Sequence, residues 1–541
     1  MLPHPLTIIF ICLAFVGSPP YLYLFAAIGF SLYFGTKLKF ALHMLQQSGY
    51  KNKDFLRFVF KNPSRFISVR DFVPPVVFFI CIFVFPVFLS GIFAVVAYLC
   101  LFFVRKKQPA KKPLVYTARV KRLITTNIIF GLAVLTVLFI FGRTLPFVWV
   151  LCFFALSLLS PLFMVACNLL VKPIELLIDR HYINDAKRIV RAMPNLTVVG
   201  ITGSYGKTST KFILNAILNE KFHTLMTPES YNTTMGVVKT IRGSLTPVHQ
   251  VFICEMGAKY TRDIKEICDI VHPTYGLLTS IGPQHLETFG SVNNIIKTKY
   301  ELLDALPDKT RGVINLDSAL IAQNNKYSEN ITYSLDQSDG AHYWVEGISY
   351  GPSGSSFCMH GKDGLCLDLH TKLLGRHNIA NIVGAAAVAL ALGVEESKIA
   401  YAVSRLAPVE HRLQLKKGAG GISIIDDAFN ANPEGSLGAI EVLGSFPAGG
   451  RILITPGLVE LGEKQYEHNY KLGIQAALHC DYIILVSKNA KPIEDGVRAG
   501  DFNQNHLFVV NNLQEALTKM NQIATPGSTV LLENDLPDIY E

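Results

Sequence analysis

The sequence predicts an α-helical membrane domain followed by two α/β domains. Three observations carry that reading. Half of the 541 residues are hydrophobic, and the excess is concentrated in residues 6–35, 72–104 and 124–171, where Arg143 is the only Lys, Arg, Asp or Glu. Each of these blocks exceeds the roughly 20 apolar residues that one spanning helix needs. From residue 181 onward, short β-branched runs alternate with helical stretches, the pattern of parallel sheets covered by helices. Inside that region, the stretch VVGITGSYGKTSTKFILNAIL (198–218) passes from an apolar strand through a glycine turn to a lysine, three hydroxyls and a helix.

Charge orients the first domain, residues 1–180. It holds 19 Lys and Arg against 4 Asp and Glu, while residues 181–541 hold 31 against 37. The net charge of +9 thus combines a basic membrane part with a mildly acidic remainder. Because the positive charge flanks the apolar blocks, it argues against nucleic acid as a partner. The linkers 36–71 and 105–123 carry eight basic residues each, with two acids in the first and none in the second. Loops rich in Lys and Arg stay on the cytoplasmic side. Single crossings would split these linkers between the two faces. Three helical hairpins keep both linkers, both termini and the C-terminal part in the cytoplasm of a bacterial cell whose plasma membrane the domain would span several times. Gly17-Ser18-Pro19-Pro20, Ser90-Gly91 and Gly142-Arg143-Thr144-Leu145-Pro146 suit the hairpin tips. Some legs have only about 13–17 residues, short for a full span. Four to six crossings are expected, with any remainder re-entrant or interfacial. Residues 37–66 mix Lys and Arg with Phe, Leu and Tyr. They read either as a solvated linker with some helix or as an amphipathic segment lying on anionic lipid. The N-terminus lacks the basic leader of a signal peptide, and more apolar blocks follow, so it is read as retained.

Strands are expected at 196–201, 251–255, 275–279 and 312–315, and a second series at 422–426, 451–455, 482–486, 507–510 and 529–533. The stretch NIANIVGAAAVALAL (378–392) is apolar enough for a membrane span, yet its alanines and cap-like Asn378 fit a buried helix better. APVEHR (407–412) marks a boundary, giving domains at 181–408 and 409–541. The ten cysteines include no C-x-x-C pair, which argues against a disulfide framework or a zinc site and fits a reducing cytosol.

The glycine turn is Gly203-Ser204-Tyr205-Gly206-Lys207-Thr208-Ser209. Such a turn lets backbone N–H groups close around phosphate while the following helix adds its positive end. Lys207 would reach the β- and γ-phosphates, and the Thr208 hydroxyl would ligate Mg²⁺. The spacing is G-x-x-G-K-[ST], because Ile201 stands where the longer motif has its first glycine.

With that loop, several strings in order resemble the Mur ligases, the ATP-dependent amide ligases of peptidoglycan precursor synthesis. They are GITGSYGKTST, TPESYNTTMG (227–236), CEMGA (254–258), SIGPQHLETFGS (280–291), KTKYELL (297–303), VINLD (313–317), LLGRHNIANIVGAAAVALALG (373–393) and DDAFNANPEG (426–435). TPGLVELGEKQ (455–465) resembles the MurF branch, which adds D-alanyl-D-alanine. The resemblance covers about 181–541 and implies a P-loop central domain and a Rossmann-like C-terminal domain. It implies ATP and Mg²⁺ as cofactors. Glu255 and His285 would be metal ligands. Lys299, rather than Lys297, would be the lysine that many Mur ligases carry as a carbamate, helping to hold a second Mg²⁺. Asn315, His377 and Asn378 match positions near the nucleotide, with Asn378 equally readable as a plain helix cap. Arg412 resembles the arginine that reaches ATP from the last domain, and Asp427 the acid that opens that domain's phosphate-facing turn. Lys207, Lys299 and His285 form the implied catalytic set, and closure of the two α/β domains about the boundary the implied conformational step.

Two departures bear on the substrate. MurF enzymes hold uridine diphosphate in a soluble N-terminal domain, where this chain has membrane sequence. The C-terminal LLENDLPDIYE also replaces the K-G-S-type turn of many relatives. The expected partners are a lipid-linked or UDP-linked cell-envelope precursor, an amino acid or dipeptide, and membrane lipid. Alternatives are a polymerising ligase of the poly-γ-glutamate or cyanophycin type, and a non-catalytic ATP-binding membrane scaffold. Intact Lys207, Thr208, Glu255 and His285 argue against the scaffold.

Overall fold

A computed structural model describes residues 20–541 except 82, 86, 104–112, 143–145, 230, 285, 337–339, 352, 409–410, 412, 429–432, 460, 487–488 and 535–541. The chain forms two units, Met1–His181 and Tyr182–Glu541.

The first unit is helical: α1 Pro20–Gln47, α2 Asn52–Lys61, α3 Val73–Cys81, α4 Val87–Phe103, α5 Ala118–Gly142, α6 Pro146–Leu158, and α7 from Ser160, which ends at Arg191. Among the described residues two segments, Ala118–Phe141 and Ser160–Arg191, are long and apolar enough to cross a membrane. Four to six crossings were expected over the whole of the first domain, of which residues 1–19 lie outside the described residues. At 1.5 Å per residue, the nine residues of α3 extend about 14 Å, half of a hydrocarbon core. The middle hairpin also turns elsewhere. Its turn is at Phe83–Phe85, and Ser90-Gly91 falls inside α4. Residues 17–19 and 143–145, at the other two expected tips, lie outside the described residues.

The basic stretch 36–71 is mostly helix. Phe55 and Phe66 are buried with Leu42, Leu45, Val120, Leu123, Met164 and Val171 in one apolar cluster. Polar groups tie the same layer. The Lys37 ammonium bonds both oxygens of Asp71 at 2.7 and 2.8 Å, and Tyr33 Oη donates to Asp71 at 2.6 Å. Arg122 makes a two-pronged contact with Glu175 at 2.6 and 2.8 Å. Such paired, oriented charges stay buried because each has its partner.

The second unit is built on two sheets. The first has the order β2-β3-β1-β4-β5-β6-β7-β8-β9. Its strands are β1 Thr197–Thr202, β2 Thr224–Met226, β3 Val251–Glu255, β4 Tyr275–Leu278, β5 Gly312–Asn315, β6 Ile331–Tyr333, β7 Tyr343–Gly351, β8 Gly354–Gly361 and β9 Cys366–Thr371. It is parallel from β2 to β7 and antiparallel from β7 to β9. Strands buried on both faces read as unbroken apolar runs, and β3 is buried throughout. Its helices are α8 Lys207–Leu218, α9 Thr234–Ser244, α10 Asp263–Val271, α11 Val292–Ala305, α12 Arg376–Ala391 and α13 Glu396–Ser404. Helix α12 is buried from Asn378 to Ala389, and its alanines let it lie close against α8. The helix begins at Arg376 behind Gly375, so Asn378 is not its cap; its amide bonds the Leu374 carbonyl at 2.8 Å instead.

The second sheet has the order β10-β11-β15-β12-β13-β14. Its strands are β10 Gln414–Lys417, β11 Ser423–Asp427, β12 Arg451–Thr455, β13 Tyr482–Val486, β14 Leu507–Val510 and β15 Thr529–Glu533. Only β10 runs antiparallel. Helices α14 Pro433–Gly444, α15 Gln465–His479, α16 Ala490–Ala499 and α17 Leu513–Ile523 cover it. In the first sheet β1 lies between β3 and β4, and the chain passes from β1 to β2 and β3 on one side before crossing to β4 on the other. Ligands of open α/β sheets bind at the carboxyl ends of strands beside such a switch point.

Candidate active site at the strand ends

The glycine turn occupies the carboxyl end of β1. Gly206 precedes α8 with φ +81°, a left-handed conformation, and a Cβ there would lie 2.6 Å from Asn381 Oδ1. At Gly203 a Cβ would lie 2.1 Å from Thr279 Oγ1. Both positions therefore require glycine. The turn is pinned to the segment after β4. Ser204 is buried, donates to the Gly282 carbonyl at 3.0 Å and accepts from the Gly282 N–H at 2.9 Å. Thr279 Oγ1 donates to the Tyr205 carbonyl at 2.6 Å, and the Tyr205 N–H donates to Ser280 Oγ at 3.0 Å. The Lys207 ammonium curls over the turn, donating to the carbonyls of Gly203 at 2.7 Å and Ser204 at 3.0 Å.

Next to the turn, Glu255 ends β3 and is fully buried. Thr208 Oγ1 donates to its Oε1 at 3.0 Å, as does Asn232 Nδ2 at 3.0 Å. The Lys211 ammonium, also fully buried, pairs with Glu255 Oε2 at 3.0 Å and donates to the Glu229 carbonyl. Two cis oxygens on an octahedral Mg²⁺ with bonds of about 2.1 Å lie about 3 Å apart. The Thr208–Glu255 spacing fits that geometry, and both donors are hard oxygens.

Lys299 sits on α11 and is buried, whereas Lys297 is exposed. Burial, and second the charge of Lys207, pulls the Lys299 ammonium down to about 7. A buried amine near that value has a substantial neutral, nucleophilic fraction near neutral pH. Asn315 ends β5 and donates to the Thr279 carbonyl at 3.0 Å, which places it behind the same segment. Asn378 and Ser209 line a cavity of about 230 Å³ with Phe212, Leu373, Arg405 and Leu406. His377 is exposed one residue before Asn378. His285 and Arg412 lie outside the described residues. The neighbours of Arg412 are informative: His411 has φ +59° and Leu413 φ +44°. A bulky residue in that region signals a constrained turn. Asp427 holds it, accepting from the Leu413 N–H at 3.0 Å. The structure therefore gathers Gly203, Ser204, Gly206, Lys207, Thr208, Glu255 and Asn315 around one turn, while Asp427 is bonded at the domain boundary.

Sequence reading missed Lys211, Asn232, Thr279 and Asn381. Lys211 lies four residues after Lys207, so both project from one side of α8; that spacing was the available signal. Asn381 accepts from Thr210 Oγ1 at 3.0 Å and closes α12 against the turn.

Residues 201–389 match the Mur ligase middle domain, and residues 411–533 match the Mur ligase glutamate ligase domain. The chain belongs to the Mur ligase family. This Mur ligase is 32% identical over 250 residues to the UDP-N-acetylmuramoyl-tripeptide--D-alanyl-D-alanine ligase of Mycobacterium tuberculosis (strain ATCC 25618 / H37Rv), covering 46% of this chain and 49% of that protein. It is 29% identical over 328 residues to the Escherichia coli (strain K12) protein of the same name, covering 60% and 72%. The chain thus spans about half the length of the mycobacterial relatives it matches. MurF from Acinetobacter baumannii superposes with a TM-score of 0.56 at 25% identity, over 66% of this chain and 77% of that one. MurF from Thermotoga maritima, solved in complex with ADP, gives 0.57 at 24% identity over 66% and 80%, a likeness of fold. Both matched domains of this Mur ligase lie in its second unit.

Proposed function

We propose that this chain is a membrane-anchored, MurF-like ligase that uses ATP and Mg²⁺ to join an amino acid or dipeptide to a carboxylate of a cell-envelope precursor through an acyl phosphate. The observation that carries the reading is the convergence of Lys207, Thr208 and Glu255 on a glycine turn at the carboxyl ends of β1 and β3. Bound nucleotide would supply the phosphoryl group that activates the carboxylate, and bound Mg²⁺ the positive charge that offsets the phosphates.

The chain's own residues have definable work. The Lys207 ammonium, held over two carbonyls, swings to the terminal phosphates when they enter. Thr208 and Glu255 hold the cation, with His285 and carbamylated Lys299 completing the set by the family resemblance. Carbamylation would join the neutral Lys299 amine to CO₂ and release one proton, turning a neutral group into an anion. The apolar cavity beside Ser209 and Asn378 suits the base of a nucleotide. By the family resemblance, Arg412 would reach the nucleotide from the glutamate ligase domain.

One observation favours a lipid-linked over a UDP-linked acceptor. The helical unit holds a groove of about 400 Å³ lined by Phe30, Phe34, Leu38, Leu135, Phe163 and Met164, with Lys39 and Asn127 among its polar members. It fits an acyl or isoprenoid chain better than a nucleotide sugar. On this reading α5 and α7 cross the bilayer, and the polar pairs at Lys37, Asp71, Arg122 and Glu175 mark its cytoplasmic boundary.

The test is ATP turnover by purified full-length protein with lipid-linked and UDP-linked muropeptides and a panel of amino acids and D-alanyl-D-alanine. Turnover that needs both acceptor and amine, and is lost in Lys207→Ala, is expected. Silence across the panel, or full turnover in Lys207→Ala, refutes the ligase reading.

A further inference from the structure

The strands β7, β8 and β9 form an antiparallel meander at the edge of the first sheet. Their register places Trp344, His360 and Cys366 in one cross-strand row, and Glu346, Cys358 and Asp368 in the next. Side chains alternate across a strand, so these six share one face. The other face carries Val345, Phe357, Met359, Leu367 and Leu369 into the core. Two thiols, one imidazole and two carboxylates therefore crowd the outer face.

The donor atoms of Cys358, His360 and Cys366 all lie within 4.8 Å of one another. The two sulfurs are 3.0 Å apart. The imidazole is fixed from two sides. The Trp344 ring stacks on it at 5.7 Å between centroids and 17° between planes. Glu346 Oε2 lies 3.6 Å from His360 Nε2, and Trp344 Nε1 donates to Glu346 Oε1 at 3.3 Å. One imidazole nitrogen thus faces a carboxylate, the arrangement that orients metal-bound histidines and raises their basicity.

We propose that Cys358 Sγ, Cys366 Sγ and a ring nitrogen of His360 bind Zn²⁺, with water in the fourth position and Glu346 orienting the imidazole. Two thiolates and an imidazole select a borderline-soft metal over Mg²⁺. Binding releases the two thiol protons, and the metal with its two thiolates is neutral overall. The eight-residue cysteine spacing gave no such sign in the sequence, because the hairpin register makes the site. Its physical effect is to staple β8 to β9, the outermost strand of the sheet.

Full-length protein, purified under reducing conditions and stripped of metal, is titrated with Co²⁺. One equivalent should bring a thiolate-to-cobalt charge-transfer absorption and the intense ligand-field bands of four-coordinate cobalt, both displaced by Zn²⁺. The thiolate absorption should vanish in Cys358→Ser/Cys366→Ser, a pair on the outer face of the sheet and outside the nucleotide site. Glu346→Gln should keep the bands but weaken Zn²⁺ binding about tenfold in chelator competition. Absence of the charge-transfer band in the native chain overturns the proposal. So does its persistence in the double variant, which would place the metal on another thiol, and so does a Cys358–Cys366 disulfide that survives reductant.

Discussion

Replacing Lys211 by Met tests the least expected member of the site. The side chains are similar in length, but the change removes a buried charge and leaves Glu255 with only Thr208 and Asn232 as partners. Two unit charges 3.0 Å apart interact by about 5–6 kcal/mol at an effective dielectric of about 20. Breaking a buried pair by removing one partner costs about 3–5 kcal/mol, because the survivor stays desolvated. At roughly 2–4 °C per kcal/mol, the domain's Tm should fall by roughly 6–20 °C. The assay is thermal melting of native protein, Lys211→Met, Glu255→Gln and the double variant. Removing both charges should recover a large part of the loss, since neither group is then left unpaired. Mg²⁺ with nucleotide should raise the Tm of Lys211→Met more than that of the native protein, because the cation no longer competes with an ammonium for Glu255. A drop of under about 2 °C in Lys211→Met, or a double variant showing the plain sum of the single losses, would refute the pairing argument.

Gly206→Ala adds a Cβ 2.6 Å from Asn381 Oδ1 at φ +81°; nucleotide affinity should fall at least about tenfold by calorimetry, with the far-ultraviolet spectrum unchanged. Unaltered affinity would mean that the turn does not carry the nucleotide. Lys299→Arg, which cannot be carbamylated, should lower kcat by about a hundredfold or more, whereas exposed Lys297→Arg should leave it unchanged; native turnover in Lys299→Arg would remove the carbamate from the mechanism. Burial pushes the Glu533 carboxyl from 4.5 to about 7 despite hydrogen bonds from Ser436 and Thr455. Between those two values the unfolded chain has released a proton that the folded chain retains, so stability falls as pH rises from 4.5 to 7 and is level above, by about 3 kcal/mol in all. Glu533→Gln should therefore be more stable than the native protein at pH 8 and lose that advantage near pH 4.5; an equal effect at both pH values would count against a protonated Glu533.

Several strands were legible to the residue. Residues 251–255, 312–315, 451–455, 482–486, 507–510 and 529–533 are strands as read, because parallel strands covered on both faces are contiguous β-branched runs. The meander at 343–371 was not read, although Cys366–Thr371 alternates exposed and buried residues through its whole length; its outward positions hold cysteine, aspartate and histidine, which hide a weak period of two. The hairpin tip was placed at Ser90-Gly91 because small residues suggest turns. Within an apolar helix they are tolerated, and Pro86, just ahead of α4, was the better signal. In the site, glycines and the motif lysine announced themselves through chemistry that only a few residue types perform. Lys211 did not, since a lysine on a helix reads as solvated unless the strand end opposite it is known to be acidic. Asn381 and Thr279 act by contact across 70 to 170 positions of chain, a relation that no local pattern encodes.

Three buried ionisable groups of the second unit are accommodated in two ways, and the difference explains where chemistry can occur. Glu255 has a counter-charge, so its burial is offset by Lys211 and by donors from Thr208 and Asn232. Glu533 at the end of β15 has only hydroxyl partners and gives up its charge instead. Lys299 likewise holds its proton far less tightly than an ordinary lysine, because burial and a neighbouring ammonium both oppose the charge. A carboxylate that stays paired can exchange its partner for a metal ion without a change in its own protonation, whereas a neutral carboxyl must first lose a proton to water. A neutral amine is reactive toward CO₂, and the carbamate it would form adds a negative charge close to Lys207. That contrast follows from the partners each group was given, and it supports placing the proposed phosphoryl chemistry at the carboxyl ends of β1 and β3 rather than at Glu533.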